Sequence, residues 1–220
     1  MDRQGETTGP ESAGPDRDRR AARRSSLMFR AAKLLCESGE YVCIVRDVSA
    51  TGLRLRLFHA APPERHLFIE LANGERVAME RIWERGDEAG LRFSCTIDVA
   101  DFIREPSPFA RRPIRLNIAA PALLTSEGRS SPVQLRDLSQ HGARIHADWP
   151  VSQGGIVRLD VAGLPTRVGC VRWRRHAAHG LVFQQAYPLD AFAQHALTLQ
   201  PFAPVALPGQ APGDDMARCA

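Results

Sequence analysis

Two short polar segments carry the residues best suited to chemistry: Asp47-Val48-Ser49-Ala50-Thr51-Gly52 and Asp137-Leu138-Ser139-Gln140-His141-Gly142, each preceded by an arginine. Both read D-x-S-x-x-G: a carboxylate acceptor, a hydroxyl, and a glycine that permits positive φ or a close backbone approach. One reading is turn chemistry alone, in which Asp and Ser bond to nearby backbone; the other is a polar corner that meets a ligand. For this composition the pattern should arise roughly 0.05 times by chance. Its two copies stand 90 residues apart, the same spacing that separates Trp83 from Trp173 and Phe93 from Phe183, so the chain is a tandem duplication. Arginine is the second ingredient. Arg17, Arg19, Arg20, Arg23 and Arg24 fall within eight residues, and Arg111, Arg112 and Arg115 within five. Such clusters create a local potential that concentrates anions. The spacing R-x-x-x-R carries little by itself, since 28 arginines should produce it roughly three or four times at random.

Other chemistries lack their residues. His59, His66, His141, His146, His176, His179 and His195 show no H-E-x-x-H or paired-ligand spacing, and Cys36, Cys43, Cys95, Cys170 and Cys219 form no C-x-x-C pair. No G-x-S-x-G, phosphate-binding loop or dinucleotide fingerprint is present, so no catalytic residue, metal site or cofactor is expected, and the chain is read as a non-enzyme. An odd number of unpaired cysteines suits reduced thiols, and no apolar run approaches a membrane span; a cytoplasmic protein is expected. The net charge of +4 hints at an anionic partner, yet only Lys33 among 29 basic residues is a lysine, so genome composition could account for the bias.

The elements that must position these residues read as short strands. Leu53, Leu55 and Leu57 alternate with Arg54 and Arg56, and period-two or apolar runs recur at Tyr41 to Val45, Leu67 to Leu71, Val77 to Trp83 and Leu91 to Phe93. The second copy offers Val133 to Arg136, Ala143 to Ala147, Ile156 to Val161, Arg167 to Trp173 and Leu181 to Gln184. Helical spacing appears at Ile97 to Glu105, with Asp98 as a cap, and at Leu189 to Leu199. The fold class is therefore all-β: two tandem small antiparallel barrels, each followed by a short helix that covers a barrel end. The expected division is a disordered basic tail over 1–22, a first domain over 23–105, a second over 106–200, and a disordered tail over 201–220. Trp83 and Trp173 are expected in the core or at a barrel end.

This arrangement resembles the PilZ domain family, six-stranded antiparallel barrels that bind the bacterial second messenger cyclic di-GMP. The resemblance runs from about Arg23 to Leu199 as two consecutive copies. In the second copy Arg111 and Arg115 supply the family's R-x-x-x-R ahead of Asp137, Ser139 and Gly142, and Val171-Arg172-Trp173 and Gly180-Leu181-Val182-Phe183 look like its later strands. The resemblance implies a cyclic di-GMP site made of Arg111, Arg112, Arg115, Asp137, Ser139 and Gly142, with the arginines on a loop before the first strand. It also implies a less secure site at Arg23, Arg24, Asp47, Ser49 and Gly52, because matching Arg23-Arg24 to Arg111-Arg112 leaves Ser26 or Leu27 where Arg115 should be.

Physical chemistry agrees with those implied roles. Arginine can fork onto a phosphate or a guanine O6/N7 edge and also stack flat on a purine. Asp137 could accept from guanine N1–H and N2–H, and Ser139 could donate to phosphate. The expected function is a cyclic di-GMP receptor in which the nucleotide orders the arginine loop and changes how the two copies, or a protein partner, dock. The alternative is a degenerate tandem that binds protein without nucleotide. A nucleic-acid-binding barrel is disfavoured, since aromatics make up only 6% of the chain.

Overall fold

The computed structural model describes residues 26–108 and 113–202. Arg23, Arg24, Arg111 and Arg112, the tail at 1–22 and most of the tail at 201–220 lie outside them.

In the first half, β1 (Ser26–Cys36), β2 (Gly39–Ser49), β3 (Gly52–Leu57), β4 (His66–Glu70), β5 (Arg76–Arg85) and β6 (Glu88–Phe93) close into a barrel in the order β1-β2-β3-β6-β5-β4. A short helix, α1 (Val99–Arg104), follows, capped by the Asp98 side chain on the Asp101 amide. The second half repeats the plan with β8 (Ala120–Ser126), β9 (Arg129–Ser139), β10 (Gly142–His146), β11 (Ile156–Val161), β12 (Arg167–Arg175) and β13 (Ala178–Phe183), closed by β9–β10 pairing. A two-residue strand, β7 (Arg115–Leu116), adds to β9, and α2 (Leu189–Leu199) ends the domain.

The duplication holds to the level of single hydrogen-bonded pairs. Asp47 faces Arg54 and Ser49 faces Gly52 across β2–β3, as Asp137 faces Arg144 and Ser139 faces Gly142 across β9–β10. Register shifts recur in the same places, between Val45 and Asp47 and between Arg81 and Trp83 in one barrel, and between Val171 and Trp173 in the other. Closure leaves no long edge, which matters for strands this short.

Each barrel encloses its own core, the first around Leu34, Leu55, Ile69 and Met79, the second around Leu124, Leu135, Ile145 and Leu159. Strand β2 departs from simple alternation: Tyr41, Val42 and Cys43 are all fully buried. Tyr41 and Cys43 point into barrel 1, whereas Val42 belongs to the core of barrel 2, because α2 lies against the outer wall of β2. The helix thus joins the domains rather than only closing its own barrel. Phe192, Ala193 and Ala196 pack into barrel 2, while Leu197 packs against barrel 1. Gln200 fixes the end of the joint by exchanging hydrogen bonds with the Glu40 backbone, at 3.2 and 3.0 Å. Phe202, assigned to the tail by sequence, packs edge-on against Tyr41 and His59.

Two expectations need correction. Strands β1 and β8 show no period of two in the sequence: Ala31, Ala32 and Lys33 of β1 line the cleft between the barrels, and β8 holds Pro121, Thr125 and Ser126 among its apolar residues. Helix α1 is shorter than Ile97 to Glu105. Trp83 and Trp173 are neither core nor barrel-end residues: they remain 44% and 36% exposed on the outer walls. Each indole lies flat on a glycine of the adjacent strand, Gly90 or Gly180, where any Cβ would overlap the ring. Among the described residues no helix is long and apolar enough to cross a membrane.

His179 is almost fully buried in barrel 2, its Nε2 accepting from the Val151 amide at 3.4 Å while Nδ1 faces the Ala177 carbonyl at 3.0 Å. Burial lowers its pKa, and lowers those of His59 and His195 as well. The unfolded chain therefore takes up protons first as pH falls below about 6.5, and stability is lost in that direction. The urea midpoint should fall between pH 7.5 and 5.5, and His179→Gln should flatten that dependence.

Candidate functional site

The D-x-S-x-x-G segments form the tight β2–β3 and β9–β10 connections. In both, the serine hydroxyl donates back to the glycine carbonyl, at 3.0 Å for Ser49 and 3.1 Å for Ser139. Ser139 is buried and closes the turn, so its proton is not directed at solvent. Gly142 does not adopt a positive φ. It is required by close approach: a Cβ there would overlap the Leu181 carbonyl oxygen of β13, as one on Gly52 would overlap that of Leu91.

Asp137 follows the register shift and points out of the barrel, yet it is only 3% exposed because two arginines cover it. Arg115 Nη1 donates to Oδ1 at 2.7 Å, and Arg144 Nε lies 2.6 Å from Oδ2 as an ion pair. Both guanidiniums stay about half exposed, 52% and 42% at the side chain. One buried carboxylate thus draws two guanidiniums together, Arg115 through a hydrogen bond and Arg144 through charge alone, and leaves that trio with a surplus of one positive charge. Arg144 was not identified from sequence, although the 90-residue offset from Arg54 marked it: both copies read D-x-S-x-x-G-x-R. On the same outer wall Arg144 pairs with Gly180, which pairs with Trp173, so an exposed indole borders the arginines. On the other side, Arg115 reaches an inter-barrel cleft of about 520 Å³ that Lys33, Glu70, Asn73 and Pro113 also line.

The first barrel repeats the geometry with one more carboxylate. Asp47 binds Arg54 Nε at 2.7 Å, but Arg54 Nη1 is also claimed by Glu88 at 3.3 Å, where the second barrel has Ala178. Pairing of Ser26 with Val48 matches that of Leu116 with Leu138, so Ser26 stands in the place of Leu116 rather than of Arg115. Asp47 and Glu88 share Arg54, and the neighbouring wall exposes Leu27, Phe29 and Ile82, with the Arg46 guanidinium over the Phe29 ring.

Other reactive groups are quiet. Burial pushes the Cys36 thiol up and the Cys43 thiol up to about 12, which suppresses thiolate chemistry. Among the described residues no group of three or more His, Cys, Asp and Glu could hold a metal ion.

Paired barrels of this strand order, one of them carrying a buried carboxylate paired with two half-exposed arginines, define a tandem β-barrel protein with an arginine-bearing wall. The chain belongs to the PilZ domain family: the model of the PilZ domain matches it twice, over residues 18–105 and 109–193. A search of curated proteins gave no match. Among solved structures, the chain is similar to the Borreliella burgdorferi PlzA protein in complex with c-di-GMP, at 10% identity, 77% and 87% coverage of the two chains and a TM-score of 0.34. It is similar also to the Bacillus subtilis inhibitor of motility MotI/DgrA, at 10% identity, 79% and 97% coverage and 0.33. The MrkH–c-di-GMP complex of K. pneumonia gives 10%, 76% and 85%, and 0.33. Family membership rests on the double match of the domain, not on these scores.

Gly142→Ala should shift β10 away from β13 and destabilise the protein by about 2 kcal/mol, within the range for overpacking. Chemical denaturation measures the loss, and Gly52→Ala should show a similar one.

Proposed function

We propose that this protein is a receptor for cyclic di-GMP, with its nucleotide site on the outer wall of barrel 2. The observation that carries the proposal is the pair of half-exposed guanidiniums, Arg115 and Arg144, aligned on the buried Asp137 carboxylate. Each retains N–H groups that can fork onto a phosphodiester oxygen or a guanine O6/N7 edge. In sequence Arg111 and Arg112 stand four and three residues before Arg115. In this role Asp137 orients arginines, and Ser139 and Gly142 build the turn that places it. Four charge-assisted hydrogen bonds at ~1.5–3 kcal/mol each are enough for micromolar affinity, near −8 kcal/mol, after the cost of ordering the arginine segment.

Barrel 1 has a different task in this reading. Glu88 shares Arg54 with Asp47, and the sequence has Ser25 ninety residues before Arg115, so this wall offers a dianion fewer free guanidinium donors. It serves as the body against which barrel 2 and the arginine segment are held. The nucleotide signals by favouring one arrangement of that segment over others, which needs different affinities for the two states.

Isothermal titration calorimetry on the full chain tests both halves of the proposal. Arg115→Ala combined with Arg144→Ala should abolish binding, whereas Asp47→Asn should leave affinity within about twofold. Nucleotide at 100 times its dissociation constant should stabilise the wild-type fold by ~2.7 kcal/mol. Unchanged binding by the double variant would overturn the site, and no stabilisation at millimolar nucleotide would favour a protein-binding module instead.

A further inference from the structure

Lys33 is the chain's single lysine beside 28 arginines, and it is buried at the joint between the barrels. Its ammonium meets three acceptors: Glu70 Oε1 at 2.7 Å, Glu40 Oε2 at 3.3 Å and the backbone carbonyl of Arg115 at 3.3 Å. Three converging acceptors suit the three N–H bonds of a compact ammonium, whereas a planar guanidinium spreads its donors in a rigid fork. Glu40 extends the contact. Its carboxylate accepts the Asn117 amide at 2.7 Å and the Asn117 side-chain Nδ2 at 2.8 Å. The segment Arg115-Leu116-Asn117 is therefore held on one side by β9 of its own barrel and on the other by two side chains of barrel 1.

The internal repeat shows that these residues are not part of the common barrel plan. At the corresponding positions, 90 residues on, Lys33 is replaced by Leu123 and Glu40 by Ser130, both exposed; Asn117 in turn corresponds to Leu27. The barrels differ in these residues where they meet.

We infer that Lys33 and Glu40 are positioning residues of barrel 1 that set the backbone of Arg115, so that the nucleotide wall of barrel 2 is complete only when barrel 1 is docked. The effect on affinity rests on the cyclic di-GMP reading; the anchoring of the segment does not. By linkage, a ligand that favours the held position of Arg115 must strengthen the Lys33–Glu40 contact by the same free energy.

The test uses the full chain with Lys33→Met and, separately, Glu40→Gln, each read by amide hydrogen exchange and by calorimetry with cyclic di-GMP. In ligand-free protein, both variants should speed exchange of the Asn117 amide at least tenfold, while Phe68 and Ile69 in β4 keep their protection. Affinity should fall about tenfold in both, with saturating nucleotide slowing Asn117 exchange again. Unchanged exchange at Asn117, or loss of β4 protection in both variants, would overturn the inference, since the first denies the contact and the second makes it merely structural. If wild-type protein binds no cyclic di-GMP, the receptor reading fails while the exchange result still decides the anchoring.

Discussion

A buried carboxylate between two guanidiniums organises the outer wall of barrel 2. Asp137 alone in that position would carry a heavy desolvation cost, and Arg115 and Arg144 offset it by ion pairing while remaining half exposed. The β9–β10 turn exists in the form that places Asp137 there: the serine closes it, and the glycine lets it approach β13. The same turn in barrel 1 is built from the same residues at the same distances, so the turn does not by itself select a ligand. What differs is the neighbourhood. Glu88 in place of Ala178, and in the sequence a serine ninety residues before Arg115, give barrel 1 one more carboxylate and one fewer guanidinium. In this pair of sister barrels the backbone is shared and the electrostatics are not.

That division of labour depends on how firmly the barrels are joined. Helix α2 has one face in each core, Gln200 bonds the Glu40 backbone, and the Lys33–Glu40 pair reaches Arg115 and Asn117. Apolar burial supplies non-directional adhesion here, while the polar contacts fix register. Without the first the domains would drift; without the second Arg115 would have no fixed place on the joint.

Much of this was legible in the residues, and the rest was hidden for definable reasons. The alternation of Leu53, Leu55 and Leu57 announces β3, and the apolar run from Tyr41 to Val45 announces a strand, though not that both faces of β2 are buried there. Strand β1 was obscured because Ala31, Ala32 and Lys33 answer to the joint as well as to the barrel. Strand β7 is two residues long, below the length at which any period shows. Arg144 is marked only by the repeat, since it follows the turn and lies outside the R-x-x-x-R spacing that precedes it. The indoles misled because a tryptophan in a strand suggests a core, whereas Trp83 and Trp173 each cover a glycine that only strand register brings beneath them.

The placement of Val42 carries one further consequence. A valine wholly enclosed by its neighbour's interior means the two halves share a dry apolar contact at β2 and α2, beside the open cleft that Arg115 lines. Pulling them apart would open a greasy surface on both sides, so the molecule has little access to a dissociated form. Val42 thus counts toward the stability of both halves at once, although it lies in the sequence of only one.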